Sequence, residues 1–214
     1  MRKQSGFTLI ELAIVLVIIG LLLGGVLRGQ ELINSAKVKN LAADFRNVPV
    51  YVYAYQDKFR ALPGDDAGAV AHVEVTETQK GDNDGKIEGA WDSADATQES
   101  ALFWLHARKA GLAPGSTNID DTGFYPTNAE GGRVGVSGTS PITSLSGQYV
   151  VCSKGISGKF AKQLDLTMDN GTSADGSMQA LEQPVGSGTG TGSGGTTAAT
   201  AYDNAKTYTI CMSF

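Results

Sequence analysis

The stretch Phe7–Leu27 constrains this chain more than any other. Its 21 residues carry one charge, Glu11. As an α-helix the run is about 31 Å long, enough to cross the hydrocarbon core of a bilayer. Arg2 and Lys3 precede it, so the short basic leader is expected on the cytoplasmic side and the long remainder outside. Glu11 is the anomaly. An ionisable group inside an apolar helix costs a few kcal/mol even on lenient insertion scales, and it demands a partner.

A cleaved secretory signal has an apolar region of about 7–15 residues and a small-x-small cleavage site. This run is longer, contains a carboxylate and ends without such a site. A plain membrane anchor accounts for the length but leaves Glu11 unexplained. The sequence GFTLIELAIVLVIIG, Gly6–Gly20, resembles the N-terminus of type IV pilins and of the pseudopilins of type II secretion, a likeness that covers residues 5–27. The resemblance implies that a prepilin peptidase cuts after Gly6, that the new N-terminal residue Phe7 is N-methylated, and that Glu11 forms a salt bridge in assembly. It implies a subunit held in the bacterial inner membrane, N-terminus cytoplasmic and globular part periplasmic. From there an inner-membrane assembly platform would build it, with itself or other pilins, into an extracellular pilus or a periplasmic pseudopilus.

Charge narrows the partners. The formal net charge is −5; removing Met1–Gly6 takes away Arg2 and Lys3 and no acid, leaving 15 basic against 22 acidic side chains, or −7. Nucleic acid is therefore not expected as the main partner, because phosphate binding requires a basic surface. The two cysteines, Cys152 and Cys211, would meet an oxidising compartment after export and are expected to pair.

Beyond the membrane run the period stays helical. Val38, Leu41, Phe45, Val48, Val52, Tyr55 and Phe59 are spaced alternately three and four apart, with Lys37, Lys39, Asn40, Asp44 and Arg46 off the stripe. The stripe suits packing on the chain's own globular domain, or a dimeric coiled coil. Pro49 is expected to bend the helix, and Gly24-Gly25 to break it in the way the resembled family uses for filament packing. The expected organisation is a leader over 1–6, a helix over 7–59 (apolar to 27, amphipathic from 28), and a globular domain over 60–214 with a flexible Gly/Ser/Thr loop at 186–197.

Ala61–Asp66 ends the helix at a Pro-Gly turn, and 67–96 reads as a long, partly ordered connection. Within it Gly81-Asp-Asn-Asp-Gly-Lys-Ile-Glu88 resembles the middle of a calcium loop, with Asp82 and Asp84 as ligands and Gly85 at the sharp turn. The register puts Lys80 and Trp91 at the two chelating ends, so a tight Asx and glycine turn competes with calcium; Glu88 or Asp92 would have to stand in as a ligand. Gln98–Ala110 is expected as a helix capped by Asp95 or Thr97. Phe124-Tyr125 suits a strand or packed loop, Gln148–Cys152, Ser177–Leu181 and Tyr208–Phe214 suit strands, and Ser157–Leu166 a short helix. The layout is an α+β chain resembling a pilin: a long N-terminal helix packed on a small antiparallel sheet, with one C-terminal disulfide.

The motifs of enzymes are missing. There is no nucleophile elbow, phosphate loop or metalloprotease helix, and no third cysteine for zinc. His72 and His106 stand alone as surface or structural histidines. Asp165, Asp169 and Asp175 lie in a turn-rich stretch suited to solvated turns more than to a cation. No catalytic residue, cofactor or resident metal is assigned. The expected function is that of a filament subunit. The alternatives are a type II secretion pseudopilin, a minor or tip pilin that binds in adhesion or DNA uptake, and a membrane-anchored enzyme.

Overall fold

The structure is a computed structural model that describes residues 8–183 and 197–214. The chain divides into two compact units between Lys37 and Val38. One helix, α1 (Leu9–Phe59), contributes to both.

In the first unit α1 is long and apolar enough to cross a membrane, and the apolar side chains from Leu9 to Leu27 are exposed throughout. The break expected at Gly24-Gly25 is absent: α1 is continuous there, with open space around Gly20, Gly24, Gly25 and Gly29. The i→i−4 ladder satisfies the helix backbone through these glycines. The helix also runs through Pro49 without ending.

In the second unit the stripe of α1 is the spine of the core. Val38, Leu41, Phe45, Val48, Val52 and Tyr55 are buried, and Phe59 packs at the edge. The stripe is therefore consumed by this chain's own globular unit and is not available to a coiled coil. The connection expected over 67–96 holds more structure than its sequence suggests: a short helix α2 (Ala69–Val73) and a 3₁₀ turn (Glu77–Gln79). Helix α3 (Glu99–Lys109) is almost wholly buried. Its N-cap is Gln98, not Asp95 or Thr97; the Asp95 carboxylate accepts from the amide and hydroxyl of Thr97 in a separate turn.

Four strands form one antiparallel sheet in the order β1-β2-β4-β3: β1 (Val134–Ser137), β2 (Val150–Ser157), β3 (Met178–Gln183) and β4 (Thr207–Ser213). Phe124-Tyr125 is not a strand; Phe124 is buried in a loop, and β1 takes the sheet edge instead. Helix α4 (Gly158–Met168) follows β2 directly and packs on β2, β3 and β4. The period of two sorts the sheet into faces. Val151, Ile156, Ile210, Met178 and Ala180 join the main core with α1, α3 and α4. Val150, Cys152 and Cys211 face a smaller cluster with Trp91, Ile142 and Leu145. Cys152 and Cys211 are direct cross-strand partners on the two central strands, 4.1 Å apart at Cα, and form the disulfide. The expected flexible loop at 186–197 lies, except for Thr197, outside the described residues.

Candidate functional site

The first candidate is the start of α1. Gly6 and Phe7 lie outside the described residues. Glu11 sits in the first helical turn, three residues after Thr8. The Thr8 amide and hydroxyl each donate to Glu11 Oε2 at 2.8 Å, and the Glu11 amide donates to Thr8 Oγ1 at 3.3 Å. This is a capping box: two helix-start amides, otherwise without partners, are satisfied reciprocally. Its side chains come from the segment whose apolar surface is fully exposed.

The second candidate is the acidic turn. Asp82 and Asp84 are joined by a third carboxylate that sequence reasoning missed, Asp65, and ligand oxygens of the three lie within 4.8 Å of one another. Asp65 is buried, whereas Asp82 and Asp84 are exposed. The loop wraps backbone amides around buried acids. Asp65 Oδ1 accepts from the Asp84 amide at 3.1 Å and Oδ2 from Gly85 at 2.9 Å. Glu99, at the start of α3, accepts from Asp82 at 3.3 Å and Glu88 at 2.9 Å. Burial pushes both carboxyls up from their ordinary values, while these amides pull them back. Lys86 Nζ lies 3.3 Å from Asp84 Oδ2. The suggested substitutes are elsewhere: Asp92 is 3.9 Å from Lys154, Glu88 contributes its amide, and Trp91 is core. Asp65, Asp82 and Asp84 are thus the residues that could hold a cation, but three carboxylates fall short of the six to eight oxygens calcium collects. The only sequence sign of Asp65 was its place in the Pro-Gly-Asp-Asp turn, where an acid ordinarily faces water.

The histidines are structural. The buried His106 ring accepts from the Gly64 amide at Nδ1 (2.9 Å) and meets the Gln79 carbonyl at Nε2 (2.7 Å). An amide can only donate and a carbonyl only accept, so the proton is on Nε2. Burial lowers this imidazole's pKa below its usual value. His72 Nδ1 is 2.7 Å from Asp66, which also accepts from Tyr55 Oη at 2.7 Å and the Gly68 amide at 2.8 Å.

Asp165, Asp169 and Asp175 are not brought together as a cation site among the described residues. The expectation of solvated turns fails for Asp165, which is fully buried and accepts from Tyr202 Oη at 2.6 Å and the Gly171 amide at 2.9 Å. It locks the turn after α4. Asp169 accepts from the Met178 amide and Asp175 from that of Gly176.

Residues 1–27 match the family model of the prokaryotic N-terminal methylation motif, the signature of type IV pilins and pseudopilins. No curated protein and no solved structure matches the chain. The motif, the long apolar helix and the α+β layout with its cystine support a subunit of the type IV pilin or pseudopilin kind, with membrane anchoring before assembly.

Proposed function

We propose that this chain is a structural subunit of a type IV pilus-like filament, made as an inner-membrane precursor. Prepilin peptidase removes Met1–Gly6, Phe7 becomes the methylated N-terminus, residues 7–27 form the filament core, and the unit that follows faces outward. The observation that carries the proposal is the methylation motif at the head of a helix whose apolar side chains from Leu9 to Leu27 are exposed among the described residues. Such a surface needs a bilayer, or the same segment of neighbouring subunits.

Glu11 supplies the register. Phe7 precedes Glu11 by four residues, a span of about 6 Å at the helical rise per residue. The pair is made more easily between chains, where a subunit displaced along the filament sets its amine beside a neighbour's Glu11. An unpaired carboxylate in that apolar core is costly, so a subunit out of register is disfavoured.

Processing is tested by intact-mass spectrometry of the mature chain. The expected mass is that of a chain beginning at methylated Phe7, and Gly6→Val should retain Met1–Gly6. A mature chain beginning beyond Leu27 would establish an ordinary secretory signal instead. Immunolabelling of purified filaments then separates a shaft subunit, present along the whole length, from a tip or sporadic one. The motif is common to pili and to the type II pseudopilus; gene neighbourhood distinguishes those two systems.

A further inference from the structure

The buried acids of the globular unit are almost all matched. Asp65 and Glu99 take backbone amides, Asp66 takes Tyr55 and His72, and Asp165 takes Tyr202 and Gly171. Asp44 is the exception. It is half-buried on α1, yet among the described residues nothing donates to its carboxylate and no cation pairs with it. Burial alone pushes its pKa up to about 6.

Asp44 lines a cleft of about 120 Å³ together with the polar side chains of Asn47 and Tyr51 and apolar walls from Val48, Trp104, Pro114, Pro126 and Val134. That volume is close to the ~150 Å³ of a cavity that admits benzene, so a single side-chain-sized group fits. The nearby Arg108 does not serve Asp44. Its guanidinium donates to the carbonyls of Pro114, Ser116 and Phe124, and lies over the Phe124 ring at 4.7 Å and the Trp104 ring at 5.8 Å.

The cleft therefore offers one negative charge without a cation, two neutral polar side chains, Asn47 and Tyr51, and several apolar faces. An anion is repelled. A neutral apolar guest would dry the carboxylate further without pairing it. A hard metal ion would find one carboxylate and, from the lining side chains, only the Asn47 and Tyr51 oxygens besides, short of the six or more it collects. A guanidinium meets both requirements: its fork matches a carboxylate, and its weakly hydrated plane stacks on aromatic rings. We propose that the Asp44 cleft binds a guanidinium group carried on an apolar stem, either an arginine side chain of another copy of this chain or a free small cation.

The test uses the full chain in detergent micelles, with butylguanidinium as probe and its neutral isostere butylurea as control. NMR follows the Asp44 carboxyl carbon and the Trp104 indole. Butylguanidinium should shift both signals saturably and lower the Asp44 titration midpoint. Asp44→Asn, which sacrifices no internal partner, should weaken binding by about tenfold or more, the loss expected for one charge-assisted contact. Butylurea should produce no saturable shift. Equal binding by Asp44→Asn, equal binding of butylurea, or no saturation with butylguanidinium each overturns the proposal. The comparison of the two probes on the wild type decides the matter even where the variant folds poorly. Dilution without probe separates the sources. An Asp44 midpoint that falls as protein concentration rises identifies another copy, whereas a constant midpoint together with saturable butylguanidinium binding identifies a free cation.

Discussion

Thr8 and Glu11 cap each other: the carboxylate that the apolar segment must place is held by the amide and hydroxyl of the residue three positions earlier. Glu11 is therefore not bare in the isolated chain. Any partner it acquires in a filament competes with, or adds to, this local cap.

The cap and the charge separate by mutation. Glu11→Gln keeps an acceptor for the Thr8 amide and loses the charge; Thr8→Val loses the hydroxyl's part of the cap and keeps the charge. Losing a cap costs about 0.5–2 kcal/mol of helix stability, which fraying absorbs. Thr8→Val should yield near-normal filaments, whereas Glu11→Gln and Glu11→Ala should insert and be cleaved yet yield few or none. Sheared-filament yield, without wild-type subunits present, is the measurement. Normal yield from Glu11→Gln would remove the charge from the mechanism.

The disulfide closes a loop with a sequence separation of 59. Chain-entropy arithmetic gives roughly 4 kcal/mol, or about 8–16 °C in melting temperature for a domain of this size, as an upper figure. Cys211→Ser should lower the melting temperature toward that extent and open β4 to protease. Unchanged melting and proteolysis would show that the strand ladder alone holds β4.

Asp44 gives a pH signature. Its carboxyl is raised in the folded state to about 6 from an ordinary 3.8, so folding favours the protonated form. Stability is lost as pH rises through that window, by about 1 kcal/mol once its partial exposure is discounted. Asp44→Asn should melt roughly 2–4 °C higher than wild type at pH 8 and converge with it near pH 4. Parallel curves at all pH values would disprove the assignment.

His106 runs the other way. Its folded pKa is depressed by burial, so its contribution is complete above the unfolded value near 6.5 and is lost as pH falls below it. Nitrogen NMR should show a ring protonated at Nε2 in its neutral form and a titration midpoint below that of an ordinary imidazole. His106→Leu should orphan the Gly64 amide and the Gln79 carbonyl, at about 1–3 kcal/mol each. A midpoint at or above the ordinary imidazole value would contradict this.

Calcium is expected to leave the melting temperature unchanged. The three carboxylates of the acidic turn are already met by amides and by Lys86. A ligand that binds only the folded form must raise the melting temperature, so a calcium-dependent rise that disappears in Asp84→Ala would make this turn a true site.

Period was the legible part of the sequence. The three-four spacing from Val38 to Tyr55 located a buried stripe residue by residue, and alternation placed Tyr208-Thr-Ile-Cys within β4. β1 was not legible. It has four residues, buried on both faces, so nothing alternates, and Gly135 is required because the Trp91 carbonyl lies where a Cβ would stand. α2, at five residues, is too short to show a helical period. Asp165 suited a solvated turn, and nothing in the sequence marked Asp65 or Glu99 for burial, because what meets these acids includes amides from distant turns, and amides carry no sequence signature. The cleft at Asp44 depends on Trp104 and two prolines more than fifty residues away. Cys152 and Cys211 needed only the compartment argument.

The position of the cystine has a mechanical consequence. Cys152 and Cys211 face each other on the two central strands, so a pull applied between α1 and the end of β4 crosses from one strand to the other through a covalent bond. The residues between them, including α4 and β3, are shielded from the load. At about 3.5 Å per extended residue, the bond keeps roughly 200 Å of contour length out of the path of the load for as long as it is oxidised. A stretched oxidised subunit can yield only its outer segments, and reduction converts the same subunit into one that can pay out its whole sheet.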